Sequence, residues 1–285
     1  MSAIKSETSA IVDVAWLRAH LNDENIVVVD ASVHLPDTGR DALAEYREAH
    51  IPGAIFFDLA KIADPNNPLP RKVPDAAHFA REVGAIGIGN KTHVIAYDTL
   101  GLYSAARVWW LFRLYGYDNV SVLDGGLKAW TAAGELTEAG EVRRAPQTFD
   151  VPEKRDLLAL WPAVLAASQQ NEQILDARTQ GRWAGTEQDR YPGARPGHIP
   201  GSSNLYWAEL LDKDTRRLLP DDQLRAKFES AGIDLDKHVT LSCGSGLTAC
   251  ILALGLSKIG HDDWRVYDGS WDEWGRNHDL PVTTA

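Results

Sequence analysis

Cys243 is one of only two cysteines in the 285-residue chain, and it opens the segment Cys243-Gly-Ser-Gly-Leu-Thr248. Glycines at 244 and 246 let backbone N–H groups turn inward, and the apolar run from Thr248 to Lys258 reads as a helix whose positive end faces the thiol. Such a loop is an anion cradle, suited to a thiolate or a terminal persulfide. The pattern therefore predicts nucleophilic sulfur chemistry at Cys243, with a buried, inert cysteine as the competing reading. Cys250 falls inside the apolar run and is expected in the core. Two cysteines exclude a disulfide scaffold and a four-Cys zinc site. His78, His93, His238, His261 and His278 show no ligand spacing with one another or with the cysteines, so no metal is expected.

The elements that position Cys243 come twice. Asp30, His50-Ile-Pro-Gly53, His93, Asp124-Gly125 and Trp130 recur as Asp176, His198-Ile-Pro-Gly201, His238, Asp268-Gly269 and Trp274, at offsets of 144 to 148 residues. A period of half the chain is too long for a solenoid and predicts two copies of one domain. In the first half, 26–30, 93–97 and 120–123 read as strands and 41–49, 75–83 and 103–114 as helices. In the second, 173–176, 238–242 and 265–267 read as strands, and 221–230 and 248–258 as helices. Strands alternating with helices predict an α/β fold with a mainly parallel sheet flanked by helices in each copy. The predicted domains are 8–138 and 157–283, joined by a polar linker over 139–156 that carries Pro146 and Pro152. Sites in such sheets lie beyond the carboxyl ends of strands. At the local offset of 145 residues, Asp98 takes the place of Cys243, so the halves differ at the one position able to carry sulfur.

A net charge of −11, from 29 Lys+Arg against 40 Asp+Glu with no dense basic run, argues against nucleic acid or an anionic membrane as partner. No uncharged apolar stretch approaches the roughly 20 residues of a membrane span, and the N-terminus lacks the apolar core of a signal peptide, so a cytoplasmic location is expected.

The Cys243 loop, the paired His-Ile-Pro-Gly segments, Asp176-Ala-Arg178 with Gly181-Arg182-Trp183, and Tyr267-Asp-Gly-Ser-Trp-Asp-Glu-Trp274 together resemble the tandem rhodanese-domain sulfurtransferases, most closely the mercaptopyruvate-using members. The resemblance runs from about Val12 to Val282. It implies two rhodanese-like domains, the first non-catalytic and contributing to a cleft, and no cofactor. It further implies that Cys243 takes sulfur from a small-molecule donor as a persulfide. The sulfur then passes to a thiol acceptor, such as thioredoxin or a small thiol, or to cyanide.

The same resemblance assigns further residues. Thiosulfate-using members carry basic side chains after the cysteine, whereas Gly244-Ser245 is neutral and suits a mercaptopyruvate donor, with Gly246, Leu247 and Thr248 completing the loop. Arg182 and Arg190 match the two arginines that hold the donor carboxylate, although Tyr191 reads as an insertion that displaces Arg190 from the usual pattern. Arg178 is expected in the packing of its own domain, or as a rival to Arg182. A relay of Ser245, His50 and Asp41 is implied for the enolate released with the sulfur. His198 in the second copy offers a structural alternative for His50, and helix capping one for Asp41. Trp109, Trp110, Trp130 and Trp274 are expected in the cores, and Trp183 either there or lining the cleft. Three rival functions stand beside this one. A thiosulfate:cyanide sulfurtransferase would use the same cysteine; a phosphatase needs Cys-x5-Arg, which Ala249 breaks; a non-catalytic binding module would not need the intact loop.

Overall fold

The computed structural model describes residues 9–285; the first eight, including the predicted start of the first domain at residue 8, lie outside the described residues. Two compact units emerge. One takes the chain up to Pro65, Val73–Arg155 and Asp214–Arg217; the other takes Asn66–Lys72, Asp156–Lys213 and Leu218–Ala285. Each unit thus incorporates a short strap from the other half of the sequence.

Among the described residues each unit has one five-stranded sheet. The first is built from Ile11–Val12 (β1), Ile26–Asp30 (β2), Ile55–Phe56 (β3), His93–Tyr97 (β4) and Val120–Leu123 (β5), in the order β1-β5-β4-β2-β3. The second repeats it with Leu158–Ala159 (β6), Gln173–Asp176 (β7), Ser203–Asn204 (β8), Val239–Ser242 (β9) and Trp264–Tyr267 (β10), in the order β6-β10-β9-β7-β8. All pairs are parallel. Helices cover the faces, so the long strands are apolar and buried throughout rather than alternating. β4 and β9 lie inside their sheets, with Asp30 opposite Tyr97 and Asp176 opposite Ser242, and their next residues are Asp98 and Cys243.

The predicted helices form as Ala42–Glu48, Ala76–Ala85, Ala105–Leu114, Asp221–Ser230 and Ala249–Lys258. Ala249–Lys258 is buried along nearly its whole length, which its run of small and aliphatic residues permits. Trp109, Trp110, Trp130 and Trp274 are core residues. The segment 139–156 has no helix or strand, but it is pinned to the first unit. Gln147 N–H donates to Gly84 O (2.9 Å), Asn90 brackets Asp150 through both its amide atoms (2.7 and 2.8 Å), and Phe149 is buried.

Candidate active site

Cys243 follows β9 and is 1% exposed. Its peptide neighbours are fixed from the far side by the turn after β10. Trp271 N–H donates to Cys243 O (3.0 Å), Asp272 N–H donates to Gly244 O (2.8 Å), and Cys243 N–H donates to Ser270 Oγ (3.1 Å). Ser270 itself holds a left-handed backbone, φ +52°, which a non-glycine residue keeps only when its surroundings impose it. Its hydroxyl donates to Tyr267 O (2.7 Å) and lies 3.8 Å from Cys243 Sγ. The tail motif Tyr267-Asp-Gly-Ser-Trp is therefore the clamp that fixes Cys243 and Gly244.

The cradle expected from the glycines is present at Gly246, whose N–H donates to Cys243 Sγ at 3.1 Å. This geometry needs φ +80°, and a Cβ there would stand 2.6 Å from Asp268 O, so only glycine fits. Leu247 is buried, Thr248 occupies the N-cap position of Ala249–Lys258 without a side-chain cap bond, and Cys250 lies in the core with its thiol donating to Gly246 O (3.4 Å). From 243 to 248 Ser245 alone is half-exposed.

The first unit shows what the same loop holds when sulfur is absent. Asp98 is 1% exposed, and its carboxylate accepts from the N–H groups of Leu100 (2.8 Å), Ser104 (2.8 Å) and Ala105 (2.9 Å). A fixed anion thus occupies the first cradle, and the second presents its amide to sulfur.

Sequence reasoning missed two parts of this site. Lys72, in the strap 66–72, is 4% exposed and donates to Ser245 O (2.9 Å) and Asp268 O (2.6 Å), holding the two segments around Cys243 together. Its partners lie 173 and 196 residues away, beyond any local pattern. Tyr191, read as an insertion, lays its hydroxyl where a side chain on Gly244 would project, and a Cβ there would collide with it. Burial, reinforced by the nearby Cys243, pushes the Tyr191 phenol well above its ordinary pKa.

The predicted arginines are placed differently from one another. Arg182 lies on the short helix Gln180–Ala184, with Nε donating to Thr179 Oγ1 (3.1 Å) and 4.0 Å from Glu187 Oε1. Arg190 is exposed and directly precedes Tyr191. Arg178 is a packing residue: it spans Asp176 and Asp189 and stacks 4.4 Å over Trp271. Trp183 stacks on His198 at 4.0 Å and donates to Ser202 Oγ (3.1 Å), so it braces the His-Ile-Pro-Gly turn. In the first unit His50 is wholly buried, with Nδ1 bonded to Tyr46 O (2.7 Å) and Nε2 to Glu138 (3.1 Å). Asp41 caps its helix, accepting from Leu43 and Ala44 N–H (both 3.0 Å). Both positions are thus engaged in local structure. Among the described residues no cluster of His, Cys, Asp and Glu could hold a metal, and no helix is long and apolar enough to cross a membrane.

A buried cysteine at a strand end, clamped from the next strand and met by an amide, repeated as a carboxylate in a twin domain, is the build of a tandem sulfur carrier. The Rhodanese-like domain profile matches the chain twice, over residues 13–133 and 162–277, and the chain belongs to the rhodanese family as a sulfurtransferase. Among its relatives, 3-mercaptopyruvate sulfurtransferase of Escherichia coli K12 is 38% identical over 96% of this chain and 98% of its own. Thiosulfate sulfurtransferase of Cricetulus griseus is 40% identical over 96% of this chain and 94% of its own. The crystal structure of Escherichia coli SseA, described as a 3-mercaptopyruvate sulfotransferase, superimposes with a TM-score of 0.84 at 36% identity, covering 93% of this chain and 99% of that one.

Proposed function

We propose that the donor is 3-mercaptopyruvate, that Cys243 carries its sulfur as a persulfide, and that a small thiol, thioredoxin or cyanide then takes it. The observation that carries the reading is the neutral loop: the place a basic side chain at 244 would occupy is filled by the Tyr191 hydroxyl. Relatives named for either donor are about equally similar, so overall identity does not choose between them. A dianionic inorganic donor needs point charges beside the sulfur; the loop's own side chains offer none, and the Lys72 ammonium behind it is engaged by Ser245 O and Asp268 O. A keto acid needs amides and a hydroxyl for its carbonyl and a separate arginine for its carboxylate. The Ser245 hydroxyl supplies the first; Arg182, half-buried, and Arg190, beside Tyr191, supply the second.

Cys243 as thiolate attacks the donor sulfur. The S–S bond forms, the C–S bond breaks, and its electron pair leaves on the pyruvate enolate. His50 and Asp41 do not enter this proposal, because their polar atoms are already committed within the first unit. Two free cysteines fit a reducing compartment, and we place the reaction in the cytoplasm.

The test is parallel turnover with 3-mercaptopyruvate and with thiosulfate plus cyanide, using Cys243→Ser as the blank. Pyruvate released in step with transferred sulfur, much faster than thiocyanate formed from thiosulfate, is the expected result. A preference for thiosulfate would overturn the donor, and no persulfide on Cys243 with either would leave only a binding module.

A further inference from the structure

A phenol stands over the residue next to the nucleophile. Cys243 is 1% exposed, and Tyr191 lays its hydroxyl and ring edge over Gly244, the residue that follows it. Any donor that reaches the sulfur across the Gly244–Ser245 segment meets that hydroxyl. The segment carrying it is anchored, since Asp189 is pinned in the buried ion pair to Arg178 (2.8 Å).

We propose that Tyr191 is the proton shuttle of the donor half-reaction, moving the proton from the donor's own sulfhydryl to the carbon that the sulfur leaves. This rests on the mercaptopyruvate reading above. Attack by the Cys243 thiolate on HS–CH2–CO–CO2− gives Cys243–S–SH and the enolate. Tyr191 gives its phenolic proton to the enolate CH2, forming the methyl group of pyruvate. The resulting phenolate recovers a proton from the –SH of the persulfide. The sum is thiolate plus mercaptopyruvate to persulfide anion plus pyruvate, with no proton drawn from solvent. A phenol is a stronger acid than water, and one already lying over the loop is present at the moment the charge develops. Thiosulfate makes no such demand, because sulfite leaves as a stable anion and no carbon must be protonated.

Tyr191→Phe keeps the ring over Gly244 and removes only the shuttle. Pyruvate release from 3-mercaptopyruvate and persulfide formation from thiosulfate are measured on the same preparations of both proteins. The expected result is that the ratio of the two rates falls about 100-fold in the variant, the usual worth of a positioned acid, and that added imidazolium restores part of the pyruvate rate. Equal losses with both donors would reduce Tyr191 to a shaper of the loop, and a ratio changed less than threefold would remove it from the chemistry; either overturns the shuttle. Failure of the donor reading is seen separately, in the wild-type protein, as absence of pyruvate release.

Discussion

Arg178→Met removes the cation at the centre of a buried ion cluster in the second unit. The Arg178 side chain is 1% exposed and those of Asp176 and Asp189 are 2% exposed. The guanidinium reaches Asp176 through Nε (2.9 Å) and Nη2 (2.8 Å), Asp189 through Nη1 (2.8 Å) and Gly197 O through Nη2 (2.9 Å), with one face on Trp271. Methionine fills most of the volume, so the lost packing is small and the loss is electrostatic: two carboxylates stay out of water with no cation. Breaking a buried pair from one side costs about 3–5 kcal/mol. That corresponds to roughly 10–20 °C in the melting temperature of a unit this size. The assay is urea unfolding of the whole chain followed by tryptophan fluorescence, since Trp271 packs on the guanidinium. Arg178→Lys, which keeps a charge but not the fork, should fall between wild type and methionine. A loss below about 1 kcal/mol would show that the carboxylates are hydrated, and would refute the account of this cluster as a dry anchor. Asp189→Asn separates the two roles of the cluster. It weakens one arm and should cost less stability than Arg178→Met, yet it loosens the segment that carries Tyr191 to the loop and should slow sulfur uptake from 3-mercaptopyruvate.

Other perturbations follow from the same contacts. Lys72→Met leaves Ser245 O and Asp268 O without their donor, and should cost about 2 kcal/mol by denaturant midpoint and slow persulfide formation roughly tenfold, because the two sides of the loop lose their tie. Wild-type kinetics in this variant would show that the loop is held without the strap. Asp98→Ala empties the first cradle and strands three N–H groups, for a loss of about 2–4 kcal/mol with persulfide loading of the folded protein unchanged; full stability would mean that those amides find water. His93, on β4, is held by burial, and secondarily by the charge of His20, down at about 4 from an ordinary 6.5. The unfolded chain therefore binds this proton first, and the contribution of His93 to stability is complete above pH 6.5 and lost as pH falls toward 4. The difference in urea midpoint between wild type and His93→Gln should accordingly change across that window, by at most about 3 kcal/mol, and a difference independent of pH would contradict the burial argument.

How far the residues alone carry the description depends on how local each cause is. The long strands and helices were legible because their apolar pattern is continuous over several residues. The two-residue strands β1, β3, β6 and β8 were not, since a pair of residues has no period and is recruited by the neighbouring strand. The nucleophile loop was legible because glycine spacing and a following helix are local facts. Tyr191 was not, because its role is a contact with a loop 53 residues on, and only the space above Gly244 explains both residues together. Ser270 stood within a quoted motif, but its left-handed turn and its bond to Cys243 N–H belong to three dimensions.

The internal repeat carried more than similarity, and its two copies interpret each other. Position 98 and position 243 follow equivalent strands in sheets of the same order. A carboxylate at 98 draws three loop amides onto itself, a geometry that would otherwise strand buried N–H groups. The first copy therefore keeps a self-satisfied loop with no vacancy for a reacting sulfur. At 243 the side chain ends one bond earlier, at Sγ, and accepts from a single amide, that of Gly246. A persulfide lengthens the side chain by one sulfur and adds a terminal charge, bringing the catalytic copy closer to the form that Asp98 already has. In the persulfide proposed above, the loop of the second domain is completed by the sulfur it carries, whereas that of the first is completed by the carboxylate of Asp98.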